Sequence, residues 1–195
     1  MRTSRIKRQT RETRITVEVN IDGTGKAKID TGMGFFDHML ESFAKHGLFD
    51  IQLLAQGDLH IDQHHTVEDI GLSLGQTFDR ALNQRKGIER AGCFLFPMDE
   101  ALAYCAIDIS GRPFVRIHYS LRARKIGDLQ SDVIDDFFQG FASGLKASLH
   151  IKILYGRSDH HKVEALFKAF AKAMKQACTL APRAQKKVPS TKGVV

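Results

Sequence analysis

The chain has 195 residues, 43% of them hydrophobic with 13 Phe and no Trp, which is ample for a buried core and excludes a disordered or fibrous class. A formal net charge of +7 favours an anionic partner but does not separate a nucleic acid from a small phosphorylated molecule. No apolar run approaches the ~20 residues of a membrane span, and the basic start MRTSRIKRQTRETR has no apolar segment behind it, so a soluble cytoplasmic protein is expected, with no membrane partner.

Taken in chain order, Ile15, Val17 and Val19 alternate onto one face and run into the glycine-containing turn DGTG, so a β-hairpin with a second short strand is expected there. GFFDHMLESFAKHG places Phe35, Phe36, Met39, Leu40 and Phe43 at helical spacing and stops at Gly47, which predicts an amphipathic helix with a glycine cap. LFDIQLLAQG reads as a strand, and a helix follows from near His64 to about Arg85. The stretch RAGCFLFPMDEALAYCAIDISGRPFVRIHYSL then gives strand-like runs broken by proline and glycine. A second round begins there, with a helix in VIDDFFQGFASGL, the strand LHIKILYG and a helix from SDHH to about Leu180. Cys93, Cys105 and Cys178 sit at unrelated spacings, which points away from a thiolate metal site or a disulfide framework, and all three read as packing residues.

The strongest organisational signal is an internal repeat. At an offset of 96, His64 pairs with His160, His65 with His161, Glu68 with Glu164, Val67 with Val163, Ile70 with Leu166, Leu74 with Phe170 and Phe78 with Met174. Upstream, Phe35-Phe36 meets Phe137-Phe138 at an offset of 102, implying small insertions between similar halves. The expected fold is α+β: one compact body of two pseudo-repeated halves, each a small mixed sheet packed against helices, over about 10–90 and 91–182, with a tail at 183–195.

On a helix His64 and Glu68 lie about 40° apart, with His65 on the far side of Glu68, so imidazoles and carboxylate fan around one edge beside the apolar stripe. Such a rim is dry enough to strengthen electrostatics yet open to a substrate, which suits a catalytic metal better than a closed structural one. Adjacent histidines diverge too far to share one ion, so two ions are expected, each taking ligands from both helices. Imidazole with carboxylate and no thiolate points to Mn, Fe, Zn or a neighbouring metal. Asp62 and Asp159 fit second-sphere partners or helix caps. One His pair alone would be an ordinary start to a surface helix; two copies in register with the same glutamate argue against that. His38, on another amphipathic helix, fits either a ligand or a packed histidine, and His46, His60, His118 and His150 carry weaker individual signals.

The segments FFDHML, DLHIDQHHTVEDIGLSLG, DEALAYCAIDISGRP, SDHHKVEALFKAFAKAMKQA and PSTKGVV resemble the imidazoleglycerol-phosphate dehydratase family, from about Arg11 to the C-terminus. The resemblance implies a lyase of histidine biosynthesis that dehydrates imidazole glycerol phosphate to imidazole acetol phosphate. It also implies two Mn²⁺ per active site and a homo-oligomer of 24 subunits with sites at subunit interfaces. Carried over by position, the family's metal ligands fall on His38, His64, His65, Glu68, His160, His161 and Glu164. Where many members have a histidine before the second-half phenylalanine pair this chain reads DDFF, and Asp136 is expected to substitute as a ligand. The family's substrate contacts map onto Glu12, His46, Arg90, Arg112, Lys168, Ser190 and Lys192, a set able to bind a phosphate dianion. Chemically, the resemblance implies that the ions grip the substrate's imidazole as an imidazolate while carboxylates shuttle the proton, Glu164 first and Glu12 at the hydroxyl end.

Two other readings compete. A different di-metal lyase or hydrolase on another small phosphate would show the same ligands, and a nucleic-acid-binding module would share the basic charge. Against the second stand only 8% aromatic residues and no clustered aromatic-basic motif.

Overall fold

The basic opening run is a strand. In the computed structural model, which describes residues 1–184 and 187–193, β1 (Thr3–Gln9) runs antiparallel to β2 (Thr13–Asn20), with Arg5 opposite Glu18 and Ile6 opposite Val17. Part of the tail expected at 183–195, residues 185–186 and 194–195, lies outside the described residues. Beyond β3 (Ala27–Asp30) and helix α1 (Gly34–Gly47), the strand β4 (Asp50–Gly57) returns to pair with β2 antiparallel and with β3 parallel, giving the order β1-β2-β4-β3. The hairpin expected across DGTG is therefore corrected: β2 pairs with β1 and β4, not with β3. All eight residues of β4 match β2 and bury Ile51 and Leu53 against Val19 and Val17, whereas four-residue β3 offers only Ile29 as a partly buried apolar side chain.

Helix α2 (His64–Leu82) closes the first half and stops short of Arg85, because Asn83 and Arg85 both adopt positive φ. The second half repeats the plan. Strands β5 (Ala91–Met98), β6 (Ala101–Asp108) and β7 (Phe114–His118) precede the short hairpin β8 (Lys125–Ile126) and β9 (Leu129–Gln130). Helix α3 (Val133–Leu145), strand β10 (Ser148–Tyr155) and helix α4 (Asp159–Cys178) complete a sheet of order β5-β6-β10-β7, again with its last pair parallel.

The repeat register moves in steps. Thr13 matches Ala101 at an offset of 88, Asp50 matches Ser148 at 98, and His64 matches His160 at 96. The step from 88 to 98 is an insertion of ten residues before α3, and it contains the β8–β9 hairpin. Helices α1 and α3 end alike: Leu48 and Lys146 are both left-handed at φ 58°, with their N–H groups on carbonyls of the last turn. That register of 98 replaces the offset of 102 suggested by the phenylalanine pairs and makes Asp136 the counterpart of His38. It also shows that Gly47 is not the left-handed cap. Its glycine is needed because a Cβ there would lie 2.4 Å from the Phe49 ring.

Helices α1 and α2 cover one face of the first sheet, α3 and α4 one face of the second, and the pairs meet as α2 on α3 and α1 on α4. Fully buried phenylalanines fill the seam, Phe43 stacking on Phe170 at 4.7 Å and Phe36 meeting Phe137 edge-on at 5.4 Å. At the α2–α3 contact Gly71 and Gly75 face Gly140 and Gly144, and a Cβ on any of them would fall within 2.4 Å of a backbone carbonyl of the other helix. Cys105 and Cys178 are buried, with the Cys178 thiol pushed up to about 12 by its apolar surroundings, but Cys93 is exposed on β5 and is not a packing residue.

Candidate active site

Most of the predicted ligands stand in the first turns of the four helices, where backbone N–H groups need acceptors and the sequence supplies them. Asp62 accepts from the N–H of His64 at 2.9 Å, and Ser158 accepts from the N–H of His161 at 3.4 Å. Both His pairs are thereby fixed at their helix starts. Asp62 acts as the expected cap, while Asp159 turns its carboxylate to the N–H groups of Arg122 and Ala123.

The side chains of α1 and α4 converge. His38, His160 and Glu164 each place one donor atom within 4.8 Å of the others. Phe35 packs on the His160 ring at 5.1 Å and limits its swing. Glu164, 8% exposed, has one carboxylate oxygen 3.5 Å from His160 Nε2 and the other 2.8 Å from Lys168 Nζ. Burial pushes its pKa up, but the Lys168 ammonium together with His38 and His160 outweighs that and holds the carboxyl below its usual value. Lys168 also lies 5.7 Å from the Phe96 ring centroid, and His46 meets the same ring edge-on at 5.4 Å. Burial, and then the Lys168 and Lys172 charges, lower His46, which favours neutral imidazole.

His64, His65 and His161 share one arrangement. Nδ1 of His64 lies 2.9 Å from Asp136, Nδ1 of His65 lies 3.0 Å from Asp58, and Nδ1 of His161 lies 2.7 Å from Glu100. An ionised carboxylate only accepts, so each Nδ1 carries a proton and Nε2 is the atom an ion would take, that of His161 lying 3.8 Å from Asp99. Glu100 is held at about 2, chiefly by His161, and the His65 and His161 imidazoles are raised by their carboxylates. Asp58 and Glu100 did not emerge from sequence reasoning. Glu100 had a usable signal, since at the offset of 88 it is the repeat counterpart of Glu12; Asp58, just after β4, had none.

Two predicted residues lack side-chain partners, although the Glu12 charge helps raise the His65 pKa. Glu12 and Glu68 are exposed and make no side-chain hydrogen bond or ion pair among the described residues. Four others gather elsewhere: Arg90, Arg112, Ser190 and Lys192 line one cleft of about 350 Å³ with Ser110, Gly111 and Thr191. Arg90 is left-handed at φ 70°, its guanidinium gripping both oxygens of Asp108 at 2.7 and 2.9 Å and donating to the Pro189 carbonyl at 2.9 Å, which docks the tail. Guanidinium, ammonium and hydroxyl groups lining one cleft are groups that can bind a phosphate-type anion. Lys168 is not part of this cleft; it belongs with Glu164.

A divalent ion fits the donor set. Imidazole nitrogens and carboxylates with no thiolate suit a hard or borderline cation such as Mn²⁺. Duplicated α+β halves, an imidazole–carboxylate cluster at helix starts and a cationic cleft suit an enzyme acting on a small anion. The chain belongs to the imidazoleglycerol-phosphate dehydratase family, whose sequence model matches residues 31–174. It is 53% identical over 195 residues to the imidazoleglycerol-phosphate dehydratase of Koribacter versatilis (strain Ellin345), with 100% of each chain covered. Against that of Lachnoclostridium phytofermentans it is 51% identical, covering 100% of this chain and 98% of the relative. Its fold is similar to the crystal structure of the Staphylococcus aureus enzyme, with TM-score 0.83, 33% identity and coverage of 92% and 99% of the two chains. The Pyrococcus furiosus structure, in complex with (S)-C348, gives TM-score 0.84, 36% identity and coverage of 97% and 100%. The activity is that of a hydro-lyase of histidine biosynthesis. Among the described residues no helix is long and apolar enough to cross a membrane.

Proposed function

We propose that this chain converts imidazole glycerol phosphate to imidazole acetol phosphate with two Mn²⁺ per active site, as a cytoplasmic homo-oligomer of 24 subunits whose sites lie between subunits. The observation that carries the metal reading is the meeting of His38, His160 and Glu164 beside histidines whose Nδ1 atoms are held by carboxylates. His38, His64, His65, Glu68, Asp136, His160, His161 and Glu164 would hold the ions, Asp136 standing in one half where His38 stands in the other. Bound there, Mn²⁺ supplies Lewis acidity toward the substrate's imidazole nitrogens.

The chain's own residues supply the rest. Arg90, Arg112, Ser190 and Lys192 bind the phosphate and fix one end of the substrate. Glu164, kept ionised by Lys168, takes the proton from the carbon beside the imidazole ring. Glu12 serves the departing hydroxyl, and His46 and Lys168 complete the substrate contacts.

Among the described residues Glu12 and Glu68 have no side-chain hydrogen-bond or ion-pair partner, which supports sites completed by a neighbouring copy. The sheet faces support the same reading. The outward side of the first sheet carries Arg5, Lys7, Thr16 and Glu18, whereas at the offset of 88 the second carries Cys93, Leu95, Tyr104 and Ala106. The β5–β6 part of that face is apolar, with Leu95 at 50% exposure, and suits burial against a second copy, while β10 and β7 add His150, Lys152, Arg116 and His118 beside it.

The test is turnover of imidazole glycerol phosphate by the purified protein after chelator dialysis and again with added Mn²⁺. Activity that disappears and returns is expected. Full turnover after complete metal removal would refute the metal reading; metal bound without turnover would refute the substrate.

A further inference from the structure

The ten-residue insertion before α3 breaks the repeat and touches every helix start that carries a ligand. In the first half the chain passes from β3 to α1 through Thr31, Gly32 and Met33; in the second, residues 119–132 lie between β7 and α3. Met33, at the cap position of α1, makes no side-chain cap bond. The cap comes from the insertion instead: Asp128, in the β8–β9 turn, accepts from the N–H of Gly34 at 2.6 Å and from that of Phe35 at 2.9 Å. Gln63, beside His64 at the start of α2, donates to the Asp128 carbonyl at 2.9 Å and accepts from the N–H of Gln130 at 2.8 Å. Asp159 at the start of α4 holds the N–H groups of Arg122 and Ala123 at 2.6 and 2.8 Å, and Lys162 ties the Ser120 carbonyl to Asp159. Ile126 and Leu129 anchor the hairpin in the core, 5% and 1% exposed.

We propose that residues 119–132 are a brace that sets the spacing between the ligand-bearing helix starts, with Asp128 as its positioning residue for the α1–α4 group. The geometry is short and direct. Asp128 fixes the amide of Phe35, Phe35 packs on the His160 ring, and His38 stands one turn further along α1. Freeing the first turn of α1 therefore lets His38 and Phe35 drift relative to His160 and Glu164 on α4, and an ion held by both helices loses affinity. The inference rests on reading His38, His160 and Glu164 as ion-binding residues.

The experiment compares Mn²⁺ affinity, read from the paramagnetic resonance signal of free Mn²⁺, for the chelator-stripped full-length protein and three variants. Asp128→Ala removes the cap, Asp128→Asn keeps one oxygen acceptor, and Asp50→Ala removes a carboxylate that likewise accepts from two backbone N–H groups, those of Thr24 and Lys26 in the turn between β2 and β3, but from none of a ligand-bearing helix start. Asp128→Ala is expected to bind Mn²⁺ about tenfold more weakly, Asp128→Asn to fall between it and the wild type, and Asp50→Ala to match the wild type. Equal affinity for Asp128→Ala and the wild type overturns the brace alone, as does equal weakening by Asp128→Ala and Asp50→Ala, which would mark general loosening. Absence of Mn²⁺ binding by the wild type overturns the metal reading and the inference with it. Should Asp128→Ala fail to fold, Asp128→Asn carries the comparison: wild-type affinity overturns the brace, weaker binding supports it.

Discussion

At the scale of single residues, neighbouring charges bias the protonation of Glu164, Glu100, His65 and His161. Lys168 keeps Glu164 ionised although burial alone would favour the neutral acid. Glu164→Gln keeps the size and the contact to Lys168 but cannot accept a proton. It is expected to lower kcat by about 10²–10⁴-fold with an unchanged circular dichroism spectrum; full turnover would remove Glu164 from the proton path. A second prediction follows from the carboxylate–imidazole pairs. His65 and His161 have their pKa raised above 6.5 by Asp58 and Glu100, so protons compete with an ion from a higher pH than for an unpaired histidine. Mn²⁺ affinity should therefore fall as pH drops through these raised values, and Glu100→Gln should move that decline at His161 toward 6.5. For folding the sign is opposite. The His161–Glu100 pair contributes its full stability between 4.5 and 6.5, losing it as pH rises through the raised His161 value and as pH falls from 4.5 toward the Glu100 value of about 2. A pH series of Mn²⁺ binding for both proteins tests this, and superimposable curves would refute it.

At the scale of elements, the contact of α2 with α3 is set by glycine. A Cβ at Gly140 would sit 2.4 Å from the Glu68 carbonyl, a backbone atom that cannot rotate away. Gly140→Ala gains about 1 kcal/mol of helix propensity but forces the helices apart, an overpacking cost of about 1–3 kcal/mol. A net loss is expected, seen as a lower urea midpoint; a midpoint at or above that of the wild type would show that the helices can separate freely. Such pairs explain what could be read in advance. Helices α1, α3 and α4 were legible because their apolar residues keep helical phase, and the two-half plan was legible because HHxxE recurs at 96. Strand β1 was not, since Arg5, Lys7 and Arg8 mask the alternation around Ile6 and make the run look like a charged tail. The register of α1 against α3 was misread because phenylalanine pairs occur in both helices at different positions, while the true marker, a left-handed residue just past each helix, leaves no composition signal at Leu48 or Lys146. The candidate site was legible where the residue type carries the chemistry, as in His64 or Arg90. It was illegible where the role comes from contacts spanning long sequence separations, as between Asp128 and Gly34 or between Glu100 and His161.

At the scale of the whole molecule, the two halves share one fold and differ in what they show to the outside, which lets each half serve as a control for the other. Leu95 on β5 is the repeat counterpart of Lys7 on β1: each lies on the outer face of its sheet, opposite Tyr104 and Thr16 respectively. A lysine at this position is therefore already tolerated by the same strand pairing in the first half, so Leu95→Lys should leave the monomer fold intact. If the second sheet's outer face is buried between copies, the same substitution places a charge in an apolar interface that offers it no carboxylate among Cys93, Tyr104 and Ala106. A desolvated, unpaired ammonium costs several kcal/mol, roughly a thousandfold or more in association for each interface of this kind. Light scattering of Leu95→Lys should then show a smaller particle than the wild type at equal concentration, while Lys7→Leu, the reverse exchange on the other sheet, should leave particle size unchanged. An unaltered particle for Leu95→Lys would place the contacts between copies elsewhere.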